Sequence, residues 1–249
     1  MLGKQHLFLR NMKNKDLTFI IPAAGNSSRF KAKESKIFYI FKKKTLIEHV
    51  INKAKKFTKN IIIVSNKKNY KKLKIICKNY TNLKIKIVFQ IKPKGMGDAI
   101  NIGLSKVKTI SSAVIWADQI FIGHETLKKT LSYFKLTKPL LCFPIVKKKN
   151  PYVYVNFKNN SFYSIVQTRE TGKKILKGFS DCGFFVFKTK EIKKKLKELI
   201  KQKKIITKKT KEIDFLKSFK YLKKIGDVKT IKAKFIKDSI GINYLEDLK

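Results

Sequence analysis

Between Ile20 and Lys36 the chain reads IIPAAGNSSRFKAKESK, and these residue types suit the binding of a polyanion. The apolar run Thr18–Ile21 ends at Pro22 and gives way to Ala23, Ala24, Gly25, Asn26, Ser27 and Ser28. Such small side chains let backbone N–H groups come close to phosphate oxygens. Arg29 adds a planar fork of donors, and Lys36 adds a mobile point charge. Far along the chain, Asp118 closes a second apolar run, Ala113–Ala117, and a carboxylate just after a buried strand is well placed to bind a divalent cation. The chemistry this set can do is to hold a nucleotide's phosphate chain and offset its charge. The first segment by itself is also compatible with a plain strand–helix turn carrying surface cations.

The elements that must position these residues alternate. Leu17–Ile21, Ile61–Val64, Leu83–Phe89, Ala113–Ala117 and Leu140–Pro144 read as strands. Thr45–Phe57, Lys68–Lys78, Gly97–Val107 and Thr126–Phe134 have helical spacing. The pattern predicts a doubly wound, mostly parallel α/β sheet, in which ligands bind beyond the carboxyl ends of the strands. The Gly25 loop and Asp118 both fall at such ends. After Asn150 the pattern changes. Tyr152–Phe157 and Phe162–Gln167, joined by Lys158–Ser161, read as a β-hairpin, and Gly183–Phe187 as a strand. Helices are expected over Glu191–Lys203 and Lys211–Lys223, then a strand over Ile231–Ile236. The organisation expected is an N-terminal extension over residues 1–16, with Met12 as a candidate start, and one domain over 17–249. That domain carries the β-hairpin and a C-terminal helical elaboration.

Composition bounds the function classes. The formal net charge is +44, with Arg only at Arg10, Arg29 and Arg169. The Lys residues are spread over every segment, and Ile, Asn, Phe and Tyr are abundant beside them. All are encoded by A- and T-rich codons, so genome bias accounts for the charge better than a nucleic-acid partner does. Such a surface still attracts anionic substrates. No run approaches the roughly 18 apolar residues of a membrane helix, and the first residues lack the pattern of a secretory signal. Cys77, Cys142 and Cys182 are far apart, which fits a reduced, cytoplasmic protein. His6, His49 and His124 show no metal spacing.

The first segment, quoted above, resembles the signature AAGxGxRM or AAGxSxRF followed by PK, without a gap from Gly25 to Lys36. That signature belongs to the nucleotidyltransferase superfamily with the GT-A-like Rossmann fold, and within it the chain is similar to sugar-phosphate nucleotidyltransferases and MobA-like NTP transferase domains. Ser35 stands where that family has Pro. Gln90-Ile-Lys-Pro-Lys-Gly95-Met96-Gly97-Asp98-Ala99 resembles the family's Q-x4-G-T-G-x-A segment. The resemblance implies that Gln90 and the Gly95, Met96 and Gly97 backbone hold the nucleobase. Ala117-Asp118-Gln119 resembles the element whose Asp binds catalytic Mg²⁺. Gly241-Ile242-Asn243-Tyr244-Leu245-Glu246-Asp247-Leu248 resembles the closing INTPEDL motif and places Asn243 where a second metal ligand is expected. Glu246 and Asp247 fit the start of a helix.

On the acceptor side, Ile165-Val166-Gln167 resembles the family's IVE element, with Gln for Glu, and Asp181-Cys182-Gly183 resembles N-x-G, with Asp for Asn. Both polar contacts differ, which calls the usual hexosamine into question. Arg169 is a candidate for the sugar phosphate or an acidic sugar, and a solvated loop position suits it equally. The resemblance implies an Mg²⁺-dependent reaction of an NTP with a sugar phosphate, giving an NDP-sugar and pyrophosphate, in the setting of cell-surface polysaccharide precursors. A homo-oligomer is compatible with it. Three other readings stand beside this one: a cytidylyltransferase acting on a polyol phosphate or phosphocholine, a basic nucleic-acid-binding protein, and a nucleotide-binding regulatory domain without turnover.

Overall fold

A computed structural model describes residues 16–25, 30, 34–172 and 174–248, with the backbone alone for Arg169. The strands in chain order are β1 (Leu17–Ala23), β2 (Ile40–Phe41), β3 (Lys44–Thr45), β4 (Asn60–Ser65), β5 (Lys84–Phe89), β6 (Ser111–Ile115), β7 (Leu141–Lys149), β8 (Val153–Lys158), β9 (Ser161–Gln167), β10 (Lys177–Asp181), β11 (Phe184–Lys188) and β12 (Val228–Lys232). Ten of them form one sheet in the order β5-β4-β1-β6-β11-β7-β10-β8-β9, with β12 alongside β7. The β5-β4-β1-β6 part is parallel. From β11 onward the neighbours are antiparallel, apart from β12 on β7. The expected N-terminal extension lies, except for Asp16, outside the described residues.

β1 shows why the sheet is covered on both faces. Leu17, Phe19 and Ile21 join one apolar cluster and Ile20 joins the other. The first cluster is closed by the helices Leu46–Ala54, Tyr70–Lys78 and His124–Thr137, and the second by Met96–Ser105 and Thr189–Lys201. Helix Leu46–Ala54 starts where Thr45 and Glu48 form a reciprocal capping box, and it buries Leu46, Ile47, Val50, Ile51 and Ala54. Helix Met96–Ser105 lies so close to β1 that a Cβ on Gly103 would come 2.6 Å from Ile20 Cγ2. That contact seats the C-terminal half of the helix on β1, while Met96 at its start lines the same cleft as Gly25.

The chain runs outward from β1 through β4 to β5, then returns to β6 on the other side of β1. This reversal opens a crevice at the carboxyl ends of β1 and β6, the place where open α/β sheets bind ligands. The hairpin expected after Asn150 forms as β8 and β9, with Asn159 and Asn160 both at positive φ in the turn.

Two expected elements differ. Residues 211–223 do not form one helix. Residues 211–215 are irregular, with Lys211 at positive φ and Ile213 in an isolated bridge to Ile206, and they are followed by a 3₁₀ turn, Leu216–Ser218, and a single helical turn, Phe219–Leu222. Tertiary contacts override helix propensity here. Ile213 exchanges backbone hydrogen bonds with Lys94 and Gly97, and Phe215 and Phe219 pack into an aromatic cluster with Phe185 at ring distances of 5.6 and 5.4 Å. The last strand is Val228–Lys232 rather than Ile231–Ile236. It pairs with β7, and Phe235 and Ile236 are exposed beyond it. Strand β10, with its Lys and Gly, gave no apolar signal.

Candidate active site

The crevice is a cleft of about 390 Å³. Pro22, Ala23, Ala24 and Gly25 line it from the end of β1, and Trp116, Ala117 and Asp118 from the end of β6. Ala24 is buried at 5% exposure, while no described atom comes within 4 Å of where a Gly25 Cβ would stand. Among the described residues, then, nothing fills the space beside Gly25. Asn26, Ser27, Ser28 and Arg29 lie outside the described residues.

Lys36 enters from the 3₁₀ turn Lys36–Phe38. Its Nζ donates to Asp118 Oδ2 at 2.5 Å and to the Ile242 carbonyl at 2.7 Å. The two side chains are 17% and 18% exposed, so the pair faces the cleft without being sealed from water. Asp118 is joined to the C-terminal segment a second way, because its carbonyl accepts from the Ile242 N–H at 3.1 Å. Three segments separated by 82 and 206 residues thus meet at one ammonium group.

Asn243 lines the cleft next to this pair. Its Nδ2 donates to the Gly241 carbonyl at 3.1 Å, so the amide oxygen remains as its free-standing acceptor type. Asp247 Oδ2 accepts from the Asn243 and Tyr244 N–H groups at 2.7 and 2.8 Å and holds the turn. The helix expected at Glu246 and Asp247 is one 3₁₀ turn, Leu245–Leu248.

Asp118 and Asn243 offer hard oxygen donors and no thiolate or imidazole. Among the described residues no group of three or more His, Cys, Asp or Glu could hold a metal ion. One carboxylate and one amide oxygen, with phosphate and water for the rest, suit Mg²⁺ and do not suit zinc.

Gln90 follows β5 and lines the cleft with Gly95 and Met96. Its Nε2 donates to the Gly95 carbonyl and to Asp98 Oδ2, at 3.0 and 2.9 Å. The expectation for Gly97 is corrected: its N–H is donated to the Ile213 carbonyl at 2.8 Å and is not available to a base. The glycines have a packing reason instead. A Cβ on Gly95, whose φ is +97°, would stand 2.7 Å from Glu212 Cβ, and one on Gly97 2.8 Å from Ile213 Cγ2. The strap of residues 212–214 lies directly on them and puts Glu212 in the cleft lining.

The acceptor-side expectations fare differently. Gln167 donates through Nε2 to Asp214 Oδ2 at 2.9 Å, which ties β9 to the same strap. Asp181 is corrected as a sugar-phosphate contact. It is buried, and its Oδ2 accepts from the Gly183 N–H at 2.9 Å, closing a tight turn. Burial pushes its carboxyl up to about 6, against the pull of the Gly183 and Asp181 N–H groups and Lys148, with the Asp118 charge adding a little to the rise. Arg169 has its backbone in the helical turn Thr168–Thr171, and its side chain lies outside the described residues.

Sequence reasoning missed Trp116, Glu212 and Asp238. Asp238 is fully buried. It accepts from the Gly123 N–H at 2.9 Å and the Thr126 hydroxyl at 2.6 Å, while its own carbonyl accepts from Gln119 Nε2 at 2.6 Å. This latch fastens the C-terminal segment to the helix His124–Thr137 three residues before Gly241. The scarcity of acids, 16 in the whole chain, was the one signal the sequence offered.

The fold recurs in solved structures. An inositol-1-phosphate CTP transferase from T. maritima superposes with a TM-score of 0.72 at 16% identity, over 93% of this chain and 91% of that one. A UDP-glucose pyrophosphorylase complexed with UDP-glucose gives 0.72 at 19% identity, over 93% and 95%. In sequence, the bifunctional protein GlmU of Buchnera aphidicola subsp. Acyrthosiphon pisum is 28% identical over 243 residues, which are 95% of this chain and 49% of that protein. The chain therefore spans about half the length of the curated relatives it matches. The MobA-like NTP transferase domain matches residues 19–181, a stretch holding the small-residue loop, Lys36, Gln90 and Asp118. On that match the chain belongs to the family of MobA-like NTP transferase domains, which are nucleotidyltransferase enzymes.

Proposed function

We propose that the protein joins an NTP to a sugar phosphate, giving an NDP-sugar and pyrophosphate. The observation that carries this reading is the meeting of Lys36, Asp118 and the Ile242–Asn243 segment at the mouth of the Gly25 loop. A phosphate oxygen of the acceptor attacks the α-phosphorus in line. The new P–O bond forms as the bond to the β-phosphate bridging oxygen breaks, and pyrophosphate leaves with that electron pair. No enzyme nucleophile is required, since catalysis is positioning and charge stabilisation. The Gly25 loop offers its backbone to the phosphates. Lys36, already held at the cleft by Asp118, meets the charge that grows on the α-phosphate and the leaving group. Arg29, seven residues before Lys36 in the sequence, would supply a second cation. Asp118 and Asn243 would hold Mg²⁺, which supplies charge neutralisation at the α-phosphate when bound.

The acceptor is where a second reading has support. Gln167 and Asp181 depart from the family pattern in sequence, and the structure ties both into internal hydrogen bonds. That favours a non-sugar phosphate, such as a polyol phosphate or phosphocholine, as the alternative acceptor. The similarity to an inositol-1-phosphate CTP transferase is compatible with it. Pyrophosphate release from five NTPs, each with several sugar and non-sugar phosphates, separates the two. Asp118→Ala should lower that release by about 100- to 1,000-fold. Unchanged release would remove Asp118 from the chemistry and the proposal with it.

A further inference from the structure

Gln90 is 6% exposed and lines the cleft immediately after β5. Both hydrogen bonds of its side chain go through Nε2, to the Gly95 carbonyl and to Asp98 Oδ2. A carbonyl and a carboxylate have no hydrogen to give, so each can face only the nitrogen end of the amide. The end left for the cleft is Oε1. Turned over, Gln90 would lose two hydrogen bonds, one of them to a charged group, and would set its oxygen against two acceptors. Asp98 stands in the first turn of the helix Met96–Ser105, where an acid is favourable in any protein. Its bond to Gln90 is the part that this general role does not explain.

Resting on the nucleotide reading above, we propose that Asp98 is a specificity-determining positioning residue. It holds Gln90 as an acceptor-only group towards the nucleobase, and so makes the site choose between lactam bases (uracil, thymine, guanine) and amidine bases (cytosine, adenine). On the edge where the two classes differ, they are opposites. A lactam shows a ring N–H beside a carbonyl, and an amidine shows a bare ring nitrogen beside an amino group. Wherever the fixed oxygen meets that edge, one class donates to it and the other points a lone pair at it. Leaving a buried acceptor so mispaired separates the classes by about 10- to 100-fold.

Calorimetric titration of the full chain with ATP, GTP, CTP, UTP and dTTP tests this. One class should bind at least about tenfold more tightly than the other. In Asp98→Ala only Gly95 still holds Nε2, Gln90 can turn, and the ratio should fall by about tenfold. Asp98→Asn, nearly isosteric, can offer either end of its own amide and should lose the ratio in the same way. A residue that only supported its helix would weaken all five nucleotides together and leave the ratio unchanged, which overturns the inference. Native binding of both classes within about threefold overturns it too. Failure of the transfer reading shows separately, as tight NTP binding without pyrophosphate release from any acceptor, and the binding ratios then still decide the role of Asp98.

Discussion

At Asp181 a buried carboxyl accepts from the Gly183 N–H, and burial lifts its pKa to about 6 against an ordinary 3.8. Between those values the folded protein keeps a proton that the unfolded chain has released. Stability is therefore lost as pH rises through this window and levels off above it. Asp181→Asn keeps an oxygen for the Gly183 N–H and removes the charge. The variant should be more stable than the native chain by up to about 3 kcal/mol above pH 6.5, and the gap should close below pH 4. Urea unfolding of both proteins at pH 4, 5, 6 and 7.5 measures it, and a gap that does not vary with pH would mean Asp181 is not the titrating group. The Lys36–Asp118 pair sits at the same scale but responds differently to substitution. Asp118→Ala leaves the Lys36 side chain, 17% exposed, facing the cleft, where water and anions can still meet it. Its main cost should fall on turnover, with little on the melting temperature.

Among the elements, the strap of residues 212–214 matters most to the cleft, and it explains two glycines at once. It runs against Gly95 and Gly97 and puts Glu212 in the cleft lining. Gly97→Ala would set a methyl 2.8 Å from Ile213 Cγ2 and 2.9 Å from the Ile213 carbonyl. The strap must lift, at about 1–3 kcal/mol in stability and with weaker nucleotide binding. Gly25→Ala makes the opposite split. No described atom stands within 4 Å, so the melting temperature should hold while NTP affinity falls, because the methyl occupies the phosphates' approach. Thermal melts beside NTP titrations of the two variants separate these outcomes, and equal effects on both readouts would remove the distinction. The contrast also shows what the chain made legible. β1, β4 and β6 are apolar runs buried on both faces, and the asparagine turn of the β8–β9 hairpin carries its own signature, so those elements and the loops they position could be read directly. The strap could not. It is held to Lys94 and Gly97 by backbone hydrogen bonds, which leave no periodicity, and the Lys-rich sequence on either side of it has the composition of a helix. Asp238 was hidden for a related reason, since its partners lie 112 and 115 residues away.

For the whole molecule, the net charge of +44 must be weighed against where it sits. The Lys-bearing helices Tyr70–Lys78 and Thr189–Lys201 cover opposite faces of the sheet. The field therefore surrounds the protein rather than marking one groove, which is what steering of small anions needs and what docking along a duplex does not. The cleft adds a local reason for the same preference, because its fixed cation Lys36 faces a space of about 390 Å³, sized for a nucleotide. Two consequences differ in their salt response. NTP capture should slow as salt rises, since long-range attraction is screened over about 10 Å at 0.1 M, but turnover at saturating NTP should hold because the cleft contacts are short. Duplex DNA should bind at about 20 mM salt, steeply lose affinity as counterion release weakens, and leave pyrophosphate release untouched at about 150 mM. Measuring kcat/KM and kcat separately from 20 to 300 mM salt, with and without random duplex, checks both. Competitive inhibition by duplex at 150 mM would place nucleic acid in the cleft itself, and a fall in kcat parallel to kcat/KM would show that salt acts on the site rather than on the approach to it.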